Sequence, residues 1–374
     1  DRRQRQMCIR DRNIIAFYLP QYHPVKENNL WWGSGFTEWT NVGKAKKLFW
    51  KHYQPRVPSD LGYYDLRILD NVKAQVRLAK EAGIDTFCYW HYWFGNGKQL
   101  LEKPFNNIIS AKNIDINVCL GWANESWKKK MWRSDDSSQD RVLIEQTYPS
   151  IEDIDKHFYH LLPAFQDTRY LKLNNKPVFL IYKPLDLPEG YPIIKRWNEL
   201  AVQEGFSGIY FIGHAICSEQ IDAIIQLDFN AVNIERHGMY KFDKKIRLRW
   251  PVRSFLYKFC NFPLVLPYSF MIKHFLGKEE MRENIFPTLI PNWDHSPRSG
   301  RKGVVFHNST PKLFKKHAIE VLRLVRTKKD SSQIVFLKSW NEWGEGNYME
   351  PDLKFGKGYI NALKEAIDCL CIKK

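Results

Sequence analysis

Eight short apolar runs, rich in β-branched and aromatic residues, recur along the chain, and each leads into polar or aromatic residues. Amphipathic helical patterns separate several of them; in one, Val72, Val76 and Ala79 share an apolar face that stops at Gly83. A repeat of strand, helix and strand with eight strands predicts a closed parallel (β/α)8 barrel of the TIM type, an α/β fold. The runs are 14–18, 85–89, 117–121, 177–182, 208–212, 229–233, 286–290 and 333–339.

Two longer segments interrupt this repeat. Residues 22–66, after the first strand, are rich in aromatic residues and glycine, and residues 238–283, after the sixth, are basic and aromatic. No linker or low-complexity segment appears, so we predict one catalytic domain over residues 13–374. Residues 1–12 are rich in arginine and lack periodicity, and we expect them to be non-native or disordered.

Composition restricts the class of protein. A chain of 374 residues, 44% of them hydrophobic, is long enough to bury a large core. Its seven cysteines are scattered, which favours a reduced, cytoplasmic protein. We see no signal peptide, and the longest apolar stretch, 262–272, is broken by two prolines, so no transmembrane helix is predicted. The net charge of +16 indicates an anionic partner or surface.

Clusters of polar and aromatic residues follow the predicted strands rather than precede them. In an eight-stranded barrel these carboxyl ends converge on one mouth, where active sites of this fold lie. Histidines such as His91 and His214 also have a plainer role as hydrogen-bonded structural residues, and Trp90, Trp93 and Trp122 can simply cap the barrel core. The clusters are 20–23, 90–93, 122–127, 183, 214, 235–236 and 292–298.

The eighth predicted strand leads into Trp340-Asn341-Glu342-Trp343-Gly344-Glu345-Gly346. Glycosidic chemistry usually needs two carboxyl groups, one ionised and one protonated, and aromatic faces on which a sugar ring can lie. A Glu pair with this spacing is also common at the start of a helix, where acidic groups suit the exposed N–H groups. The barrel pattern favours the catalytic interpretation, because it places this segment opposite the other strand ends.

Metal and cofactor sites are not predicted. His23, His91, Asp294 and His295 are candidate ligands, but they lack the short spacing of zinc sites. A glycine-rich phosphate loop is also absent from the sequence.

Several motifs in the same order make the chain, from about residue 13 to 370, similar to the WbsX-like family, described as glycosyltransferase WbsX or glycoside hydrolase family 99-like. The resemblance implies a (β/α)8 barrel associated with lipopolysaccharide O-antigen and other surface-polysaccharide biosynthesis. The motifs are FYLPQYHP (17–24), WWG (31–33), GFTEWTN (35–41), HYQP (52–55), LGYYD (61–65), WANE (122–125), WD (293–294), PR (297–298), WNEW (340–343) and EP (350–351).

The related endo-acting α-mannosidases and mannanases of glycoside hydrolase family 99 carry an Asn-Glu-Trp-His-Glu-Gly-type segment with two catalytic glutamates. The resemblance places those roles on Glu342 and Glu345. Glu342 would act as a base on the sugar 2-hydroxyl and give a 1,2-anhydro intermediate, and Glu345 would act as general acid and then base. Gly344 stands where that family usually has histidine.

We therefore predict retaining glycosidic chemistry on an oligosaccharide or polysaccharide. In one interpretation this glycan is linked to a lipid. Water as acceptor gives hydrolysis, and a sugar hydroxyl gives transfer. Glu125 is a reserve catalytic candidate, because Asn-Glu at a strand end is a frequent acid position in barrel glycosidases. The predicted substrate-binding residues are Gln21, Tyr22, His23, Trp31, Trp32, Trp39, Trp90, His91, Trp122, Asn124, Glu125, Trp293, Asp294, Arg298, Asn341 and Trp343.

Alternatives remain open at this point. The chain also fits an endo-α-mannosidase-like hydrolase in glycan degradation, or a barrel that binds glycan without catalysis. Nucleic-acid binding is not predicted, because carboxylates cluster where the ligand would lie. Residues 240–259 interleave basic and aromatic side chains, and we expect them either to contact an anionic membrane at its inner face or to form a solvated basic surface.

Overall fold

The protein is described by a computed structural model that covers residues 13–128, 141–238 and 262–371. Eight parallel strands form a closed barrel, since each pairs with the next along the chain and the last pairs with the first. Each predicted run overlaps one strand, so the predicted TIM-type barrel is confirmed. The strands are β1 (Asn13–Tyr18), β2 (Thr86–Trp93), β3 (Asn117–Trp122), β4 (Lys176–Ile181), β5 (Tyr210–Ala215), β6 (Ala231–Ile234), β7 (Ile285–Leu289) and β8 (Ile334–Leu337).

Helices surround the barrel and alternate with its strands. Gly83 ends α3 in the left-handed conformation, at φ +82°, and a Cβ there would lie 2.7 Å from Ile367 Cδ1 of α11. The helix C-terminus therefore requires glycine. The helices are α1 (Lys26–Trp32), α2 (Glu38–Lys44), α3 (Leu69–Ala82), α4 (Lys103–Ser110), α5 (Ile151–Gln166), α6 (Ile193–Gln203), α7 (Glu219–Ile225), α8 (Tyr268–Met271), α9 (Ser296–Ser299), α10 (Pro311–Val325) and α11 (Gly358–Cys371).

The two predicted insertions differ in how much of them is described. The segment after β1 contains α1 and α2, and a reciprocal capping box between Thr37 and Thr40 starts α2. After β6, residues 262–284 include the short strand Leu264–Pro267, which pairs in parallel with Val304–His307. The predicted membrane-contacting segment 240–259 and the N-terminal residues 1–12 lie outside the described residues. Within the described ranges, no helix is long and apolar enough to cross a bilayer.

Alternate residues of β2 point to opposite sides of the barrel wall, as the pleat of a strand requires. Trp90 stacks on Phe17 of β1, with ring centroids 4.7 Å apart. Tyr89 instead packs against Phe105 of α4, and Trp93 stacks on His157 of α5 at 4.4 Å. Neighbouring aromatic residues of one strand therefore serve different purposes, one set at the barrel interior and the other under the helices.

Candidate active site

A cavity of about 110 Å³ opens at the carboxyl ends of the strands. We call it the active-site cavity. Its lining residues come from the ends of β1, β2, β3, β4 and β8 and from the segment after β7, so it lies at the predicted barrel mouth. They are Leu19, Trp90, Tyr92, Ala123, Glu125, Trp127, Tyr182, Arg298, Lys338, Glu342 and Glu345.

The segment after β8 forms a tight hairpin that carries both glutamates. Asn341–Glu342 pairs antiparallel with Asn347–Tyr348, and a 3₁₀ turn, Trp343–Glu345, connects the two. Gly346 adopts φ +61°, and a Cβ there would lie 2.7 Å from Asp294 Cβ and 2.9 Å from its backbone nitrogen. The pair thus belongs to a hairpin, and the alternative prediction of a helix start is wrong.

One guanidinium contacts three carboxylates in this region. Arg298 Nη2 lies 2.6 Å from Glu342 Oε1, and its Nη1 lies 2.6 Å from Glu345 Oε1. Its Nε donates to Glu38 Oε1 at 2.9 Å, and Glu38, in α2, is fully buried. Three negative groups share one positive fork, a geometry that orients carboxylates strictly.

The electrostatic surroundings separate the two glutamates. Burial raises the pKa of Glu342 to about 7, and the negative charges of Glu345 and Glu38 act in the same direction, against the attraction of the guanidinium. Burial opposes ionisation of Glu345 too. Arg298 and His295 outweigh it, however, and hold the pKa of Glu345 well below its ordinary range. The cavity therefore holds one carboxyl group that is about half protonated at pH 7 and one carboxylate.

Gly344 lies where the Glu38 carboxylate leaves no room for a side chain. A Cβ at position 344 would lie 1.6 Å from Glu38 Oε1 and 3.0 Å from Arg298 Nε. Such an approach to Glu38 is far inside the contact distance of two atoms, so any other residue would displace the carboxylate. This chain thus has glycine where the hydrolase family usually has histidine, and the Glu38 carboxylate occupies the space that a side chain at position 344 would need.

Lys338 supplies a second positive charge to the active-site cavity. Its ammonium lies 2.8 Å from Glu235 Oε2 and 4.9 Å from the centre of the Trp293 ring. The side chain is buried, which opposes its charge, but Glu235 and Glu345 raise the pKa of Lys338 above its ordinary value. This lysine stays charged and faces the glutamate pair.

Glu125 also lines the cavity, and Lys183 Nζ lies 2.8 Å from its Oε2. Asn124 fixes the backbone here, because its side chain accepts from Lys183 N at 2.8 Å and donates to Lys183 O at 2.9 Å. Asn124 therefore positions the loop, whereas Glu125 presents its carboxylate to the cavity.

Of the predicted site residues, Trp90, Glu125, Arg298, Glu342 and Glu345 line the active-site cavity. A further group supports the hairpin instead. The Asn341 side chain bonds both Leu19 N and Leu19 O, at 2.8 and 3.0 Å, and the Tyr22 hydroxyl accepts from Trp343 N at 3.2 Å. Trp343 is buried, stacks on Tyr348 at 3.8 Å and packs against Trp39 at 5.7 Å. These residues make structural contacts that support the hairpin, and their direct contacts with a sugar stay predictions.

Several other predicted residues pack elsewhere. His91 Nε2 lies 2.8 Å from His157 Nε2, and burial lowers the pKa of His91 to about 3, so it is a neutral core residue. Trp122 is buried and donates to Trp93 O at 2.9 Å. Both point away from the cavity because they alternate with its lining residues along their strands. The plainer interpretation, a structural histidine, holds for His91, whereas Trp122 packs against His157 of α5 rather than capping the barrel core.

The remaining predicted residues lie around the mouth. Trp31 approaches cavity-lining Trp127, with ring centroids 6.1 Å apart, and Trp293 stacks on His237 at 4.3 Å. In contrast, the side chains of Gln21, His23, Trp32 and Asp294 are not among those that line the active-site cavity. His23 Nδ1 contacts Pro20 O, Gln21 is fully buried, and Trp32 packs near Phe36.

Residues that the sequence analysis missed complete the cavity wall. Tyr92 follows Trp90 by two positions, so the alternation of a strand places both side chains on one face. Tyr182 and Lys338 come directly after β4 and β8, where strand ends meet the mouth. These two signals, alternation and position after a strand, were available from the sequence. Leu19, Ala123 and Trp127 also line the cavity without having been predicted.

A metal site is not evident. The described residues include no group of three or more His, Cys, Asp and Glu side chains arranged to hold a metal ion. Asp294, one of the candidate ligands, accepts from Gln54 Nε2 at 2.7 Å and Ser296 Oγ at 2.6 Å, and His52 Nε2 lies 2.9 Å away. Its oxygens are occupied by protein groups.

A family profile described as Glycosyltransferase WbsX matches residues 14–363. The chain belongs to the glycosyltransferase WbsX family. Its relatives include the uncharacterized protein WxcX of Xanthomonas campestris pv. campestris, 31% identical over 355 residues. The alignment covers 95% of this chain and 49% of that protein, so the chain spans about half the length of its relative. WxcX of strain B100 is 32% identical over 364 residues, with the same coverage.

Solved structures show the same fold. The family 99 endo-α-mannosidase from Bacteroides thetaiotaomicron, in complex with bis-tris-propane, superposes with a TM-score of 0.57. It is 13% identical, and the superposition covers 96% of each chain. A structure described as a glycoside hydrolase-like protein gives a TM-score of 0.55 at 16% identity, covering 96% of this chain and 94% of the other. Family membership and the barrel together support a glycan-processing enzyme.

Proposed function

We propose that this chain acts on glycosidic bonds in the biosynthesis of a surface polysaccharide of the O-antigen type, with Glu342 and Glu345 as its catalytic pair. The observation that carries the proposal is the pair itself. Two buried glutamates at the barrel mouth share one arginine, and their pKa values are driven in opposite directions. Glycosidic-bond chemistry with retention of configuration needs one proton donor and one carboxylate within reach of the same sugar.

The cavity wall suits a sugar. Trp90, Tyr92 and Trp127 offer aromatic faces, and Glu125 and Lys338 offer polar groups for hydroxyls. Transfer and hydrolysis share the first half-reaction, so the proposal covers a transferase and an endo-type glycosidase. A hydrolase in glycan degradation and a barrel that only binds glycan are the rival functions. Lipid linkage of the glycan, a location at the inner membrane face and membrane contact through residues 240–259 stay predictions.

In the free protein, the protonation of the two glutamates is opposite to the one that the implied roles require. The resemblance makes Glu345 the acid, yet in the free protein Glu342 keeps the proton and Arg298 holds Glu345 ionised. For Glu345 to donate a proton, the substrate must loosen the contact between Arg298 and Glu345. Loss of that ion pair would raise the pKa of Glu345, because burial then acts unopposed by the guanidinium.

The test compares Glu342→Gln and Glu345→Gln with the wild type on candidate surface glycans, by following released and extended products. We expect each variant to lose roughly 10²-fold to 10⁴-fold of the activity, the usual contribution of acid–base catalysis. Glu320→Gln, on an exposed face of α10, is the matched control and should keep full activity. Full activity in both site variants would refute the proposed pair. Glycan binding without any turnover by the wild type would favour the binding barrel.

A second measurement assigns the roles. A substrate with a good leaving group, such as an activated aryl glycoside, needs no protonation, so it restores activity only in the variant that lacks the acid. Restoration in Glu345→Gln would support the roles that the resemblance implies. Restoration in Glu342→Gln would show that the proton held in the free protein is the one transferred.

A further inference from the structure

A second cavity adjoins the hairpin that carries the glutamates. We call it the cationic cavity and define it by Lys51, Arg56 and Lys354, which line it together with His307. Its volume is about 30 Å³, room for one small group rather than a sugar ring. Among the described residues, none lines both cavities.

The cationic cavity is connected to the catalytic hairpin through backbone contacts. Arg56 Nη1 donates to Gly346 O at 2.8 Å. Asp294, which also lines this cavity, donates its backbone N–H to Glu345 O at 2.7 Å. A ligand here would therefore lie next to the active site without entering it.

Two carboxylates line the cationic cavity, and both are already bonded. Asp294 Oδ2 accepts from Gln54 Nε2 at 2.7 Å and lies 2.9 Å from His52 Nε2. Asp352 accepts from the Tyr348 hydroxyl at 2.6 Å and from backbone N–H groups. Their negative charge is directed into the protein.

The ammonium groups have no such partners within the described ranges. Neither Lys51 nor Lys354 forms an ion pair with a carboxylate in those ranges. Lys354 Nζ instead lies 4.7 Å from the centre of the Tyr53 ring and 4.9 Å from that of Phe355. Rings attract a cation but do not neutralise it.

The cations of this cavity also repel one another. Burial lowers the pKa of Lys354, and the charge of Arg56 lowers it further, against the opposite effect of Asp352. Burial lowers the pKa of His307 as well, and His52, Lys354 and Lys51 act in the same direction, against the opposite effect of Asp294. An anion in the cavity would relieve this repulsion.

Two helices begin beside the cavity. Ser309, in its wall, precedes the first residue of α10 by two positions, and Tyr359, also in the wall, lies in the first turn of α11. The N-terminus of a helix favours negative charge, which adds to the effect of the lysines.

We propose that the cationic cavity binds an oxyanion carried by a glycan, a phosphate or carboxylate on a sugar residue. The identification of the ligand as a glycan rests on the proposed function. The binding of the oxyanion does not, because it follows from the charges and the cavity alone.

The test titrates the full chain by calorimetry with inorganic phosphate, glucuronate and methyl glucoside, the last as the neutral counterpart. We expect one or both anions to bind and the neutral sugar not to bind. In Lys51→Gln/Lys354→Gln the anion should bind at least tenfold more weakly. Lys195→Gln/Lys364→Gln removes the same charge from exposed helical positions and should bind as the wild type does. Tighter binding of phosphate would indicate a sugar phosphate, and tighter binding of glucuronate a uronic acid.

Failure of both anions to bind the wild type would overturn the proposal, and so would equal binding by the two double variants. Glu342→Gln separates this outcome from the proposed chemistry, because its cationic cavity is intact. This variant should bind the anions with wild-type affinity. The same result is expected even if neither the variant nor the wild type turns over any glycan. Circular dichroism of each variant confirms that it is folded.

Discussion

The active-site cavity and the cationic cavity adjoin the same hairpin, yet their charges are arranged in opposite ways. In the first, three carboxylates share the guanidinium of Arg298. In the second, the carboxylates are bonded within the protein, and the ammonium groups of Lys51 and Lys354 are left to the cavity. Arg298 and Lys338 already lower the pKa of Glu342, and a further cation beside it would lower that pKa more. Because Lys51 and Lys354 line a separate cavity, the protein can attract an anionic ligand without adding to this effect.

The largest effect is expected at the shared arginine. Arg298→Gln leaves three buried carboxylates without their partner, which should lower the free energy of unfolding by about 3–5 kcal/mol at pH 7. Arg298→Lys keeps the charge and loses the fork, so its loss should be smaller. Chemical denaturation measures both. As the pH falls from about 4.5 towards the lowered pKa of Glu345, protonation of the carboxylates should reduce the cost of Arg298→Gln progressively, and a cost independent of pH would contradict the charge arrangement.

Glu350 tests whether the stability of the region that supports the hairpin depends on pH. Burial raises the pKa of Glu350 to about 7, although Trp343, Gln75 and Tyr64 donate hydrogen bonds to it. A raised pKa stabilises the fold at low pH, and this stability is lost as the pH rises through about 7. The loss amounts to about 3 kcal/mol for this group. Glu350→Gln should flatten the curve of unfolding free energy against pH between 5 and 8, and an unchanged curve would exclude Glu350 as the source.

Gly344→Ala would push the Glu38 carboxylate off Arg298 and so disturb the active-site cavity alone. We expect a loss of about 1–3 kcal/mol in the free energy of unfolding, the usual cost of an overpacked site. Glu38→Ala removes the clash, so the double variant should be more stable than the sum of the single effects predicts. Strict additivity in a double-mutant cycle would show that the two positions do not compete for space. Anion binding at the cationic cavity should be unaffected.

The smallest effect is expected for Arg56→Lys. This variant keeps the charge of the cationic cavity but loses the directed hydrogen bond to Gly346 O, worth about 1 kcal/mol. Phosphate affinity should stay within about fivefold of the wild type, because 1 kcal/mol corresponds to about a factor of five. A large fall in affinity with unchanged stability would instead make Arg56 a direct ligand of the anion.

The barrel could be predicted because its evidence is local. Every strand is an apolar run of a few residues, and the carboxyl ends of such strands must meet at one mouth. The catalytic candidates followed from the same logic, since Glu342 and Glu345 come directly after β8. The direction of each aromatic side chain was predicted less well. Trp90 and Tyr92 line the cavity, whereas His91 and Trp93 pack under helices. This alternation follows the two-residue period of a strand, which the predicted list of site residues does not respect.

Contacts between distant parts of the chain could not be predicted. Glu38 meets Arg298 across 260 positions, and Arg56 meets Gly346 across 290. Glu38 and Arg56 both lie in the insertion after β1. The path of this insertion over the barrel is set by packing rather than by any periodic pattern. The sequence marks the insertion as aromatic, but it carries no local sign that one of its glutamates occupies the space beside Gly344.

That shared space has a consequence for the accessible changes of this chain. A side chain at position 344 and the carboxylate of residue 38 compete for the same volume, so a larger residue at 344 requires a smaller one at 38. The order of substitution therefore matters, because shortening residue 38 first makes room for the second change, whereas enlarging residue 344 first forces the Glu38 carboxylate away from Arg298.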